Sequence, residues 1–117
     1  MKKEEIRPVT LAFEDGKTYT LEFSKNTVMK AESMGYKEEE LTDKSMTMGT
    51  LLFHCAFLMH EPTITKEETD KILLEDLGGY TDELATRLIL LYDLQANEIL
   101  NSRKDKAPKN PKLKVSL

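Results

Sequence analysis

Cys55 is the only cysteine in the chain, so an internal disulfide framework is excluded and a reducing compartment is expected. No apolar run reaches the roughly 18 residues that suggest a membrane span. The opening MKKEEIRPV has basic residues but no apolar stretch, so no secretory signal is visible and the expected address is the cytoplasm of the producing cell. The signatures of common chemistries are missing as well. There is no Gly-x-x-x-x-Gly-Lys phosphate loop, no Gly-x-Ser-x-Gly elbow and no Asp/Asn-rich calcium loop. Neither a catalytic residue nor a metal or cofactor site is expected.

What is present is one domain's worth of residues. At 117 residues the chain can bury a core without covalent staples. The formal charge of −4 hides a split. From Arg103 onward stand Arg103, Lys104, Lys106, Lys109, Lys112 and Lys114 against Asp105 alone, a net of +5, which leaves −9 on the rest. Residues 1–102 read as a single domain and 103–117 as a basic, proline-containing tail. No aromatic interleaves with those lysines, so nucleic acid is not the expected partner. A solvated tail, or docking on an acidic surface, remains.

Val9, Leu11 and Phe13 alternate with Thr10 and Ala12, and Tyr19, Leu21 and Phe23 alternate with Thr20 and Glu22. Both stretches read as strands. Asp15-Gly16 suggests a two-residue turn, but that turn puts the two apolar rows on opposite faces. A three-residue loop, Glu14-Asp15-Gly16, pairs Leu11 with Tyr19 and Val9 with Leu21 and unites them. A slip of one residue flips every side chain, so this register is expected. Gly16 then takes the left-handed position. The hairpin needs helices over its apolar face.

Four helical segments follow. Ser24 or Asn26 caps one that carries Val28, Ala31 and Met34 and stops at Gly35. Residues 37–41 suggest a short turn. Ser45 is the expected cap of a second helix reaching His60, apolar on most of its circumference, with Thr47, Thr50 and His54 in a narrow polar wedge. Phe53, Phe57, Leu52 and Cys55 are its core candidates. Gly49 and Ala56 lie seven apart on one side and permit close approach of another backbone. Thr65 and Glu68 form a capping box for a third helix whose apolar face is Thr69, Ile72, Leu73 and Leu77, ended by Gly78-Gly79. Thr81 caps a fourth helix to about Leu100, with Leu84, Leu88, Leu91, Tyr92 and Ile99 inward and Ala85 and Ile89 beside them. Thr86, Asp93 and Asn97 mark its wet side. Residues 113–117, with Leu113, Val115 and Leu117 alternating, form a third strand or a free end. The fold class is α+β: an N-terminal antiparallel hairpin packed on about four helices.

His54, Cys55 and His60 do not converge. His54 and Cys55 point about 100° apart on a helix, and His54 and His60 about 120°. They read as an inert buried thiol and two helix-margin histidines. The acids come in runs, Glu38-Glu39-Glu40, Glu67-Glu68 with Asp70, and Glu75-Asp76, on faces where acids are solvated or favoured by the helix dipole. Five internal methionines, Met29, Met34, Met46, Met48 and Met59, read first as core fillers, with an adaptable apolar groove as the alternative. Leu90 falls on the wet side of its helix and Leu94 at its margin. Met46, Met48, Leu90 and Leu94 are the candidate partner contacts.

Taken in order, KTYTLEFSKNTVMKAESMGY, MTMGTLLFHCAFLMHEP, TKEETDKILLEDLGG, a long closing helix and NPKLKVSL resemble a family of small proteins from tailed phages and prophages of Gram-positive bacteria, the tail assembly chaperones. In that family a proline is more frequent where Ser45 stands; either residue starts a helix. The resemblance implies a non-enzymatic protein of the host bacterial cytoplasm. It implies binding to the long apolar tape-measure protein, which is kept soluble while tail-tube protein polymerises around it. Such a chaperone is absent from the mature virion. The alternative is a structural virion component, a connector or tail-completion protein.

Overall fold

The computed structural model describes residues 6–99, Lys112 and Ser116. Strands β1 (Val9–Ala12) and β2 (Thr18–Leu21) form an antiparallel pair, followed by helices α1 (Lys25–Ser33), α2 (Ser45–Phe57), α3 (Lys66–Lys71) and α4 (Asp82–Ala96). Short 3₁₀ turns occupy Glu38–Glu40 and Asn97–Ile99, and a π-helical turn, Ile72–Asp76, continues α3. The chain is thus an α+β hairpin-and-four-helix domain. The boundary expected at residue 102, the tail expected at 103–117 and the third strand expected at 113–117 lie, apart from Lys112 and Ser116, outside the described residues.

The hairpin register is the one that parity selects. Val9 stands opposite Leu21 and Leu11 opposite Tyr19. The Phe13 N–H donates to the Lys17 carbonyl at 2.8 Å and the Gly16 N–H to the Phe13 carbonyl at 2.9 Å. Gly16 has φ +93°, a conformation glycine takes without a Cβ penalty. The united apolar face rests on α2, and just past β2 the Glu22 N–H donates to the Ala56 carbonyl at 3.0 Å.

Local chemistry sets most helix ends. The Ser24 hydroxyl accepts from the Thr27 N–H and Thr27 answers at the Ser24 N–H, a reciprocal cap worth about 1 kcal/mol. Thr65 and Glu68 do the same for α3, and Thr81 accepts from Leu84 N–H. Behind α1, the Tyr36 N–H donates to the Ala31 carbonyl and Gly35 N–H to Glu32, with Gly35 at φ +98°. This is the six-to-one and five-to-two pattern of a glycine stop. The α2 entrance departs from expectation. Ser45 is the first helical residue, Lys44 holds the cap position, and no side chain caps it. The reason is that the chain already turns: Lys44 N–H donates to the Glu40 carbonyl at 2.8 Å, so the turn at 41–44 runs straight into the helix. The helix ends at Phe57 rather than His60, closing in a turn where the His60 and Glu61 N–H groups both reach the Phe57 carbonyl.

The core is built around α2, which touches β2, the 38–40 turn and the other three helices. Leu52, Phe53, Cys55 and Phe57 are buried as expected. All eight aromatic rings join edge to face in two strings. Phe13, Tyr19, Phe57, Phe53 and Tyr80 form one. Phe23, Tyr92 and Tyr36 form the other. Such pairs add about 0.5–1.5 kcal/mol each beyond area burial.

Three expectations about faces are corrected. Thr50 and His54, assigned to a polar wedge and a helix margin, are buried, because α3 covers that wedge with polar partners of its own. Leu77, expected in the core beside Thr69, Ile72 and Leu73, is 43% exposed. The π-helical turn is the cause: the Leu77 N–H bonds five residues back to Ile72 at 2.8 Å. The wider turn breaks the 3.6-residue period that carried Leu77 inward. Finally, the methionines do not fill the core. Met29, Met34, Met46 and Met59 are exposed and only Met48 is buried.

Candidate functional site

The expected partner contacts separate by depth. Met46, in the first turn of α2, is 65% exposed, whereas Met48 is 6% exposed. Met48 is a core residue whose sulfur accepts the Lys37 N–H at 3.3 Å, so it is not available to a partner. Two residues apart on a helix means opposite sides; at the start of α2, Ser45, Met46 and Thr47 are exposed and burial begins at Met48. Leu90 is 45% exposed and lines a shallow groove on α4 with Asp82, Glu83, Thr86 and Arg87. Leu94 is half-buried one turn further on.

Residues that the sequence did not single out as contacts extend this apolar surface. Met29 on α1 is 64% exposed, and Leu74 and Leu77 stand out from the π-helical turn. Met59 lines an open groove with Glu22, Phe23, Lys25, Asn26 and Gln95, where the end of β2 meets α1 and α4. Methionine has no branch at Cβ and tolerates a helix surface as well as a core, so no sequence signal distinguished the two. Met59, Leu74 and Leu90 sit in open grooves lined by charged residues, and single apolar side chains in such settings still offer dispersion contacts.

The polar seam between α2 and α3 is closed. His54 Nδ1 lies 3.0 Å from Thr69 Oγ1, and that hydroxyl donates its one hydrogen to the Lys66 carbonyl at 3.1 Å. His54 Nδ1 therefore carries a proton and donates to Thr69. Lys66 spans the seam, donating to both Asp70 oxygens at 2.8 and 3.0 Å and to Thr50 Oγ1 at 3.1 Å. Burial, helped by the Lys66 charge, lowers the His54 pKa. The seam is a satisfied network, and such networks fix how two helices register. Adjacent Cys55 is fully buried, its thiol pushed up to about 11 by burial; a thiol so protonated is a poor nucleophile. His60 lies apart, its Nε2 2.6 Å from Glu22 Oε1. Among the described residues no group of three or more His, Cys, Asp or Glu converges to hold a metal ion.

One acid departs from the solvated-face reading. Glu38 meets Asp93 of α4, and burial first, then the hydrogen bond to Asp93, raises its pKa to about 7. Beside it the Tyr36 hydroxyl is buried without a hydrogen-bond partner, as is Glu38 Oε1. Glu38 was hidden in a run of three glutamates, and only its position against α4 separates it from Glu39 and Glu40.

A family model described as a domain of unknown function, DUF5055, matches residues 1–117. The chain belongs to this family. No curated protein and no solved structure matches it. The DUF5055 chain also has, among its described residues, no helix long and apolar enough to cross a membrane. Its candidate site is therefore the dispersed apolar surface of Met46, Leu90, Leu94, Met29, Met59, Leu74 and Leu77.

Proposed function

We propose that this DUF5055 protein is a non-enzymatic tail assembly chaperone that binds the tape-measure protein of a tailed phage or prophage and keeps it soluble while tail-tube protein assembles around it. It acts in the cytoplasm of the bacterial host and leaves before the virion is complete. The observation that carries this reading is the placement of methionine: four of the five internal methionines lie exposed, not in the core. A protein that must hold many different apolar helical segments needs adaptable side chains on its surface. The resemblance of the chain's segments, taken in sequence, to tail assembly chaperones supplies the partner.

The test is co-expression with the tape-measure protein encoded in the same phage genome. The expected result is a soluble complex that co-elutes, from a tape-measure protein that is insoluble alone. Unchanged solubility with no complex overturns the reading. Mass spectrometry of purified particles provides the second arm. The chain is expected to be missing; its presence at a fixed copy number makes it a structural virion component instead.

A further inference from the structure

We propose that the basic segment 103–117 docks on its own chain, on the outer face of α3 and its π-helical turn, in the groove that holds Leu74. The inference stands on that groove and on the charge of the segment, and does not rest on the chaperone reading. In the π-helical turn Ile72 and Leu73 are buried, whereas Leu74 and then Leu77 stay exposed. Leu74 lies in an open groove with Glu67, Glu68, Asp70, Lys71 and Glu75. Four acids against one base make that lining −3. The groove at Met59 sets Glu22 against Lys25, a net of 0, and the one at Leu90 sets Asp82 and Glu83 against Arg87, a net of −1. The α3 groove is thus the most acidic of the three. Its neighbours do not neutralise it. Lys66 is engaged by Asp70 and Thr50, and Lys71 lies 3.6 Å from Asp76. Among the described residues no ion pair reaches Glu67, Glu68 or Glu75.

The sequence supplies the complement. Residues 103–117 carry a net of +5, and Leu113, Val115 and Leu117 alternate with Lys112, Lys114 and Ser116. Alternation puts apolar side chains on one side of an extended segment, while a lysine stem is long enough to bring its ammonium group round to a rim. Leucine and valine therefore meet Leu74 and Leu77, and lysines meet the carboxylates. The opposite charge of the rest of the chain draws the segment onto the body; the acidic rim decides where it settles. Length permits the contact. The helical part ends at Ile99, and residues 100–112 reach up to about 45 Å, against a longest molecular dimension of 52 Å. A tether of this kind holds the segment at an effective concentration of order millimolar, so weak contacts suffice. Docked, the segment covers Leu74 and Leu77, and any partner that uses this patch must displace it.

A nitroxide attached at Ser116→Cys in the full chain reads the contact by NMR. Ser116 is exposed and the natural thiol, Cys55, is buried, so the label goes to the introduced cysteine. At low ionic strength the amide signals of residues 67–77 are expected to lose at least half their intensity relative to the reduced label. Most of that intensity is expected to return when Glu67→Gln, Leu74→Ser and Glu75→Gln, all at exposed positions, are combined. It is also expected to return in about 1 M salt, where the Debye length is about 3 Å. No loss at residues 67–77, or a larger loss around Met59 or Leu90, overturns the proposal. So does a loss that neither the triple variant nor salt relieves. An equal loss in unlabelled chains mixed with labelled ones places the contact between two copies and overturns docking within one.

Discussion

The Tyr80 hydroxyl donates to the Gly49 carbonyl at 2.7 Å, and its ring lies against a helix position that has no side chain. A Cβ at Gly49 meets Tyr80 Cε2 at 3.3 Å. The small residue in α2 admits a ring here and not the second backbone its spacing suggested. Gly49→Ala gains roughly 1 kcal/mol of helix propensity but crowds a ring pinned at its hydroxyl and packed on Phe53. The pinning decides the sign. Gly49→Ala is expected to destabilise by about 1–2 kcal/mol in denaturant unfolding, and to be stabilising once Tyr80 is also changed to Ala. A stabilising single variant removes the argument.

The His54–Thr69 pair makes a second prediction, in two readouts. Imidazole nitrogen shifts are expected to show the proton on Nδ1 at neutral pH, as the single Thr69 hydrogen requires. Because burial, then Lys66, lowers the His54 pKa, its contribution to stability is full above the ordinary value near 6.5 and is lost as pH falls below it through the depressed folded value. Melting of the wild type and of His54→Gln is therefore compared from pH 7.5 to 5. The wild-type advantage is expected to shrink as pH falls. Taking the difference cancels the Glu38 contribution, which runs the other way. An advantage that stays constant across the range removes the assigned protonation state.

Much of this fold is written locally. The hairpin register follows from a period of two and a loop of odd length, and Ser24, Thr65, Thr81 and Gly35 act within a few residues of where they stand. What escaped is tertiary. Thr50 and His54 look like a wet stripe until Lys66 and Thr69 arrive to satisfy them. Glu38 is chemically identical to its two neighbours, and its distinct behaviour comes first from burial and then from Asp93, 55 positions later in the sequence. Leu77 obeys a helical period up to the residue where a π-helical turn breaks it. Met46 and Leu90 were legible as exposed and Leu94 as marginal, whereas Met48 is buried, because nothing in a sequence fixes which side of an apolar helix stays uncovered.

That distinction gives the third prediction. Met46→Ser and Leu90→Ser alter exposed side chains, and each is expected to change folding stability far less than a core substitution, by about 0.5–1 kcal/mol. Met48→Ser removes a buried thioether and places a hydroxyl in the core, at an expected cost of about 2–5 kcal/mol. In the co-expression assay the two surface variants together are expected to reduce capture of the tape-measure protein while remaining fully folded. Capture undiminished by the pair moves the contact surface elsewhere, towards Met29, Met59, Leu74 and Leu77.

Tyr36 gives the last. Its ring is 3% exposed and packs edge to face on Tyr92 at 4.9 Å, yet its hydroxyl is buried with no hydrogen-bond partner. The ring and the hydroxyl therefore act in opposite senses. The ring packs on Tyr92 of α4, and losing it leaves a cavity. The hydroxyl has given up water and gained nothing, a debt of about 1–3 kcal/mol for a buried orphan group. Tyr36→Phe keeps the ring and discards the orphan, so it is expected to raise stability by about 1 kcal/mol at pH 5, where Glu38 is protonated. Tyr36→Ala loses the ring and is expected to cost about 3–5 kcal/mol. Chemical denaturation of the three proteins checks this. A Tyr36→Phe variant less stable than wild type at pH 5 means that the hydroxyl does have a partner, and removes it from the unsatisfied groups.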